Sequence, residues 1–103
     1  MPTTIVVAED EAIIRMDLTE LLQEEGYDVV GECGRGDEAV RLVRELRPDV
    51  ALLDIKMPGQ DGISAAREIS AERLSAVVLV TAFSQRELIE EASDAGVHGY
   101  VVK

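Results

Sequence analysis

Two short runs, VALLD (50–54) and AVVLVT (76–81), are apolar almost without interruption, and they limit what this chain can become. A strand that is apolar on both sides must be covered on both sides, the condition of a central strand in a parallel sheet flanked by helices. Three further runs, TIVVA (4–8), YDVVGEC (27–33) and GYVVK (99–103), raise the expected strands to five. The intervening stretches are one-sided instead. Ile14, Leu18, Leu21 and Leu22 fall at i, i+4, i+7 and i+8; Ala39, Leu42, Val43 and Leu46 at i, i+3, i+4 and i+7; Leu88, Ala92 and Ala95 at i, i+4 and i+7. Such periods predict helices that lay an apolar stripe on a sheet. The period over 62–73 is weaker, with Ile63, Ala66 and Ile69 three apart, but a crossover helix is needed there.

Stop and start signals agree with these elements. Gly26 follows the first helix, Pro48 the second and Gly96 the fourth, while Ser84 and Glu87 form a capping box that opens the fourth. Strand alternating with helix implies right-handed crossovers, hence a doubly wound, five-stranded parallel α/β sheet in one domain, residues 1–103. No helix follows the fifth strand at Lys103. The final helix of such a fold is therefore expected to be missing, leaving one sheet face under-covered and open to homodimerisation or domain swapping.

Charge excludes one class of partner. Ten basic residues against twenty-one acidic ones give a formal charge of −11, which repels a nucleic-acid backbone, so no direct nucleic acid binding is expected of this piece. No apolar run is long enough to span a bilayer and no secretory leader is visible, which reads as a cytoplasmic chain with no membrane partner. The single cysteine, Cys33, allows no internal disulfide and sits in an apolar strand as a small core residue.

In a parallel sheet the strand C-termini share one edge, and open α/β sheets bind ligands there. The first strand runs out into Glu9 and Asp10, the third into Asp54, the fourth into Thr81 and the fifth into Lys103. Three neighbouring carboxylates need a proton, a cationic partner or a metal. Oxygen donors without Cys or His favour Mg²⁺, or else Mn²⁺, which commonly bridges carboxylates to a phosphate. That combination points to phosphoryl chemistry. Asp54, alone at the end of a central strand and followed by a loop with Pro58, Gly59 and Gly62, is the candidate nucleophile for an aspartyl phosphate. Glu9 and Asp10 form the metal side, and Thr81 and Lys103 are suited to neutralising phosphoryl oxygens.

Glu9-Asp10 after VV, Asp54 in LLDIKMPGQDG, Thr81-Ala82 after VVLV and Lys103 after GYVV together resemble the receiver domains of two-component response regulators. The resemblance covers essentially the whole chain and implies a flavodoxin-like sheet of order 2-1-3-4-5. It implies that Asp54 accepts a phosphoryl group from a sensor histidine kinase. Mg²⁺ would be bound directly by Asp10, Asp54 and the backbone carbonyl of Lys56, with Glu9 acting through water. Thr81 would hydrogen-bond the phosphoryl oxygen, Lys103 would pair with it, and Tyr100 would turn inward as a switch aromatic. Ala82 would leave room for the phosphate, and Lys56 and Phe83 would tune its lifetime. An output domain or partner protein would read the changed surface of the fourth helix and fifth strand. The domain would be no enzyme beyond assisting its own phosphorylation and dephosphorylation. AEDEAIIRMDLTELLQEEGY and TAFSQRELIEEASDAG further resemble receivers attached to ANTAR RNA-binding antitermination domains, which would place RNA binding in a part not present here. Glu9 departs from the pattern, since many members carry Asp there.

Other readings compete at individual residues. Asp10 alone would read as a cap for a helix starting at Glu11, and Asp61 and Gly62 as cap and turn. Thr81, Lys103 and Tyr100, each taken singly, are ordinary strand, terminal and packing residues, and His98 has no second ligand nearby and receives no role. Gly34 to Ala39 matches G-x-G-x-x-A between strand and helix, with Asp54 18 residues beyond Gly36, as in a dinucleotide-binding α/β fragment. Against this, Asp37 and Glu38 put negative charge where a pyrophosphate would sit. A phosphatase using an aspartyl intermediate would favour an acid two residues past the nucleophile; here that residue is Lys56.

Overall fold

The alternation of apolar runs and one-sided periods folds as β1 (Thr4–Ala8), α1 (Ala12–Glu24), β2 (Asp28–Cys33), α2 (Gly36–Leu46), β3 (Val50–Asp54), α3 (Gly62–Ala71), β4 (Ala76–Thr81) and β5 (Gly99–Val102). The computed structural model describes residues 2–81 and 95–102, with Thr81, Tyr100 and Val102 described through their backbone alone. The strands form one sheet of order β2-β1-β3-β4-β5, every neighbouring pair parallel. Together with the flanking helices this is a flavodoxin-like α/β architecture. The expected fourth helix, with Leu88 and Ala92 and the Ser84–Glu87 capping box, lies outside the described residues.

One face of the sheet carries the core. Val6, Ala8, Ala51, Leu53, Val77 and Leu79 alternate along the three central strands and pack with Ala39, Val40 and Val43 of α2 and Ala65, Ala66 and Ile69 of α3. Period two in the strands meets period 3.6 in the helices there, which is what buries both. On the opposite face Ile5, Val7 and Val80 are buried, while Leu52 and Val78 are half-buried.

Local signals explain the element ends. Asp61 caps α3 through its carboxylate, which accepts from the Ser64 N–H at 2.7 Å. Gly26, at φ 92°, follows α1 in the left-handed conformation that favours glycine. After α2, Arg47 adopts the left-handed conformation and Pro48 prevents continuation.

Two expectations are corrected. The α1 period predicts a stripe laid on the sheet; α1 does pack against β1 and β2, but none of its residues is fully buried and Leu21 departs from the stripe. Ile14, Leu18 and Leu22 are half-buried, whereas Leu21 is 55% exposed, and Ile13 and Met16 also face solvent. Leu21 and Leu22 are one residue apart, roughly 100° around the helix, so both cannot point at the sheet. The second correction concerns Gly62. It is the first residue of α3 rather than a turn glycine, and its lack of a side chain answers a close approach described below.

Candidate functional site

Parallel pairing with Ala8 opposite Leu53, Leu53 opposite Leu79 and Thr81 opposite Val102 brings the C-terminal ends of four strands to one edge. Glu9 and Asp10 follow β1 directly, and Asp54 is the last residue of β3. Their carboxylate oxygens lie within 4.8 Å of one another. Glu9 and Asp54 are buried, at 1% and 8% exposure, and Asp10 opens to solvent.

Backbone hydrogen bonds set these positions. The Glu9 N–H donates to the Cys33 carbonyl at 3.0 Å, extending the β1–β2 ladder one residue beyond the strand, so the Glu9 side chain enters the fold at the sheet edge. Its carboxylate accepts from the Glu11 N–H at 3.3 Å. The N-cap of α1 is Glu11, with no side-chain capping bond, so Asp10 is not the cap that its position suggested. Its carboxylate joins Glu9 and Asp54 instead.

Asp54 is held from behind by α3. The Gly62 N–H donates to the Ile55 carbonyl at 2.7 Å, and a Cβ on Gly62 would stand 2.0 Å from the Asp54 carbonyl oxygen. Only glycine allows the helix to start there. A Cβ on Gly36 would likewise stand 1.7 Å from the Gln60 carbonyl oxygen, and the Gly36 N–H donates to the Pro58 carbonyl at 3.3 Å. The Gly34–Gly36 pattern is thereby accounted for: Gly36 lets α2 pack on the loop after Asp54, and Pro58 occupies the amide that a dinucleotide phosphate would need. The structure speaks against the dinucleotide reading.

Three ionised carboxylates this close would repel by roughly 3 kcal/mol per pair at an effective dielectric near 20. A divalent cation would relieve that repulsion. Hard oxygen donors with no Cys or His in the cluster, and one open side at Asp10, suit an ion that keeps several waters. Cys33 lies behind the Glu9 backbone, and burial pushes its thiol above the usual range, which disfavours the thiolate.

Among the remaining expected residues, Lys56 is exposed two positions beyond Asp54. Thr81 ends β4 and Tyr100 lies in β5 opposite Leu79, but their side chains are outside the described residues, as are Ala82, Phe83 and Lys103. His98 serves the sheet: its N–H donates to the Val77 carbonyl at 2.7 Å and its Nδ1 accepts from the Val77 N–H at 3.3 Å. A concavity of about 670 Å³, lined in part by Arg47, Asp49, Ser75 and His98, sits at the opposite edge and holds none of the expected site residues.

Sequence reasoning missed Arg15. Its Nη1 donates to the Glu9 carbonyl at 2.7 Å, and its Nε lies 3.8 Å from Glu32. The available signal was charge: Arg15 is the only cation in the first 34 residues of an acidic chain. No helix among the described residues is long and apolar enough to cross a membrane.

Comparison with known proteins shows the family. The model of the response regulator receiver domain family matches residues 5–103. The chain is 54% identical over 103 residues to the transcriptional regulatory protein PdtaR of Mycobacterium tuberculosis, covering all of this chain and 50% of that protein. It is 36% identical to the chemotaxis protein CheY of Thermotoga maritima, covering all of this chain and 87% of that one. The receiver domain of the response regulator NarL from M. tuberculosis superimposes with a TM-score of 0.95 at 31% identity, over 98% of this chain and 83% of that one. The chain thus spans about half the length of PdtaR and most of the length of the chemotaxis protein. A family match across nearly every residue, on a sheet whose edge gathers the three carboxylates, makes this chain a receiver domain of the two-component response regulators.

Proposed function

We propose that Asp54 is the phosphoacceptor of this receiver domain, taking a phosphoryl group from the phosphohistidine of a sensor kinase. The P–N bond breaks as a P–O bond to the Asp54 carboxylate forms. The observation that carries this reading is the meeting of Glu9, Asp10 and Asp54 within 4.8 Å at the C-terminal edge of the sheet. Asp10, Asp54 and the Lys56 carbonyl would hold Mg²⁺, or Mn²⁺ in its place, with Glu9 acting through water. The ion would neutralise phosphoryl oxygens during transfer. Thr81 would hydrogen-bond the transferred group and Lys103 would pair with it. Tyr100 and the segment after β4 would then shift together, biasing a two-state equilibrium that an output domain or partner reads.

A switch fits better than a turnover enzyme. Lys56 stands where a phosphatase with an aspartyl intermediate would place its general acid, so no side chain is supplied there to release the phosphoryl group quickly. We further infer that residues 1–103 act as the receiver portion of an ANTAR-type regulator, in which RNA binding belongs to the remainder of a longer protein. Support comes from the 54% identity to a transcriptional regulatory protein of which this chain spans half, and from an acidic surface unsuited to binding RNA itself. The exposed Ile13, Met16 and Leu21 of α1 are the surface through which copies of the chain would associate.

The test is the intact mass after incubation with acetyl phosphate and Mg²⁺. A single phosphoryl gain is expected, lost with chelator and in Asp54→Asn. Gain persisting in Asp54→Asn would move the acceptor elsewhere, and no gain in a folded sample would refute the reading.

A further inference from the structure

Arg15 sits in the first turn of α1, facing back across the end of β1, and only 24% of its side chain is exposed. Its guanidinium donates to the Glu9 carbonyl at 2.7 Å. On the far side it pairs with Glu32 of β2 at 3.8 Å. The Thr19 hydroxyl, one turn along α1, donates to the Arg15 carbonyl at 2.9 Å and approaches Glu32 at 3.4 Å. Gly34 completes the arrangement: a Cβ there would stand 2.9 Å from Arg15 Nη1. The guanidinium therefore occupies space that the absence of a side chain at residue 34 leaves open.

The carbonyl that Arg15 grips belongs to the peptide joining Glu9 to Asp10. A peptide unit is planar, so fixing its carbonyl fixes the plane and the directions in which both flanking residues leave it. Those two residues carry two of the three carboxylates. We propose that Arg15 is a positioning residue for the metal site, a latch that holds Glu9 and Asp10 turned toward Asp54; this rests on the metal-binding reading given above. The latch ties three segments at one point, the end of β1, the start of α1 and the end of β2.

Two effects of removing Arg15 oppose each other. Losing a cation beside the acidic cluster would raise its attraction for Mg²⁺, whereas losing the grip on the peptide would let the carboxylates splay and lower it. Arg15→Gln alone would mix these effects. Gly34→Ala separates them, because the new methyl meets the end of a flexible side chain and displaces the guanidinium while every charge is kept. Its other neighbours, the Asp10 Cα at 3.5 Å and the Glu9 carbonyl oxygen at 3.6 Å, are at ordinary contact distance.

The experiment is calorimetric titration of the 103-residue chain with MgCl₂ alone, beside thermal melts and the acetyl phosphate mass assay. Both Arg15→Gln and Gly34→Ala are expected to weaken Mg²⁺ binding by about tenfold, the usual effect of losing an outer-shell partner of a metal ligand. Phosphoryl gain should return at saturating Mg²⁺, since Asp54 itself is untouched. Tighter binding in Arg15→Gln with no change in Gly34→Ala would overturn the proposal in favour of charge alone. Lower melting temperatures with unchanged Mg²⁺ affinity would overturn it in favour of a purely structural role. Should Arg15→Gln fail to fold, Gly34→Ala decides by the same criterion. If the unaltered chain neither binds Mg²⁺ nor gains a phosphoryl group, the functional reading falls and the latch with it; if it does both and the variants bind equally well, only the latch falls.

Discussion

Replacing Gly62 by Ala tests how the helix behind Asp54 holds the site together. On helix propensity alone the change should help, because Ala is favoured over Gly by up to about 1 kcal/mol inside a helix. Geometry says otherwise. The added Cβ would stand 2.0 Å from the Asp54 carbonyl oxygen and 2.9 Å from the Ile55 Cα, both backbone atoms that cannot rotate aside. Reaching even 3.0 Å, below which real Cβ contacts essentially never fall, requires α3 or the end of β3 to retreat by about 1 Å. That movement would stretch the 2.7 Å bond from the Gly62 N–H to the Ile55 carbonyl and loosen Ile63, Ala65 and Ala66 in the core. Overpacking of this kind costs about 1–3 kcal/mol, occasionally more, and the rigid backbone contact places this case at the upper end. Net of the propensity gain, a loss of about 2 kcal/mol is expected. With a urea m-value near 1 kcal/mol/M for a small domain, the unfolding midpoint should fall by about 2 M. Urea titration followed by far-UV circular dichroism measures this directly. A midpoint equal to or above that of the unaltered chain would refute the close approach of α3 to Asp54.

Two further predictions concern groups outside the site. Burial raises the Cys33 thiol, so little thiolate forms at neutral pH; iodoacetamide should modify the native chain slowly and the urea-unfolded chain quickly, and equal rates would contradict the packing. Arg44 after the middle of α2 pairs with Glu72 just past α3, and this hydrogen bond holds the Glu72 carboxyl below the usual range. A depressed folded value means that the pair's contribution is present above the ordinary Glu range and is lost as pH falls through the folded value. The stability difference between the unaltered chain and Glu72→Gln should therefore shrink on acidification and in high salt. A difference constant from neutral pH to below the carboxylate range would show that the pair contributes nothing through charge.

The β-α alternation was legible because the signals are local. VALLD and AVVLVT announce central strands from their own residues, and the bounds of β3 and β4 fall where those runs fall, as those of β1 do with TIVVA. Asp61 announces a helix start by the same logic, since a cap interacts only with amides a few residues ahead. The gathering of Glu9, Asp10 and Asp54 was legible one step further, because a parallel sheet sends every strand end to the same edge. Other features depend on which distant segments come within a few ångströms, and these only the tertiary structure decided. Gly36 looked like half of a phosphate loop until Gln60 was found against it, and Gly62 looked like a turn until the Asp54 carbonyl was found there. Arg15 drew no notice at all, and Leu21 looked like core. No period or propensity records the distance from residue 15 to a carbonyl six positions back, or the angle at which α1 meets the sheet. Short-range preferences are written into consecutive residues, whereas close packing is a property of the assembled whole, and here it decides which glycines are required, which helix face is buried and how the acidic pair is aimed.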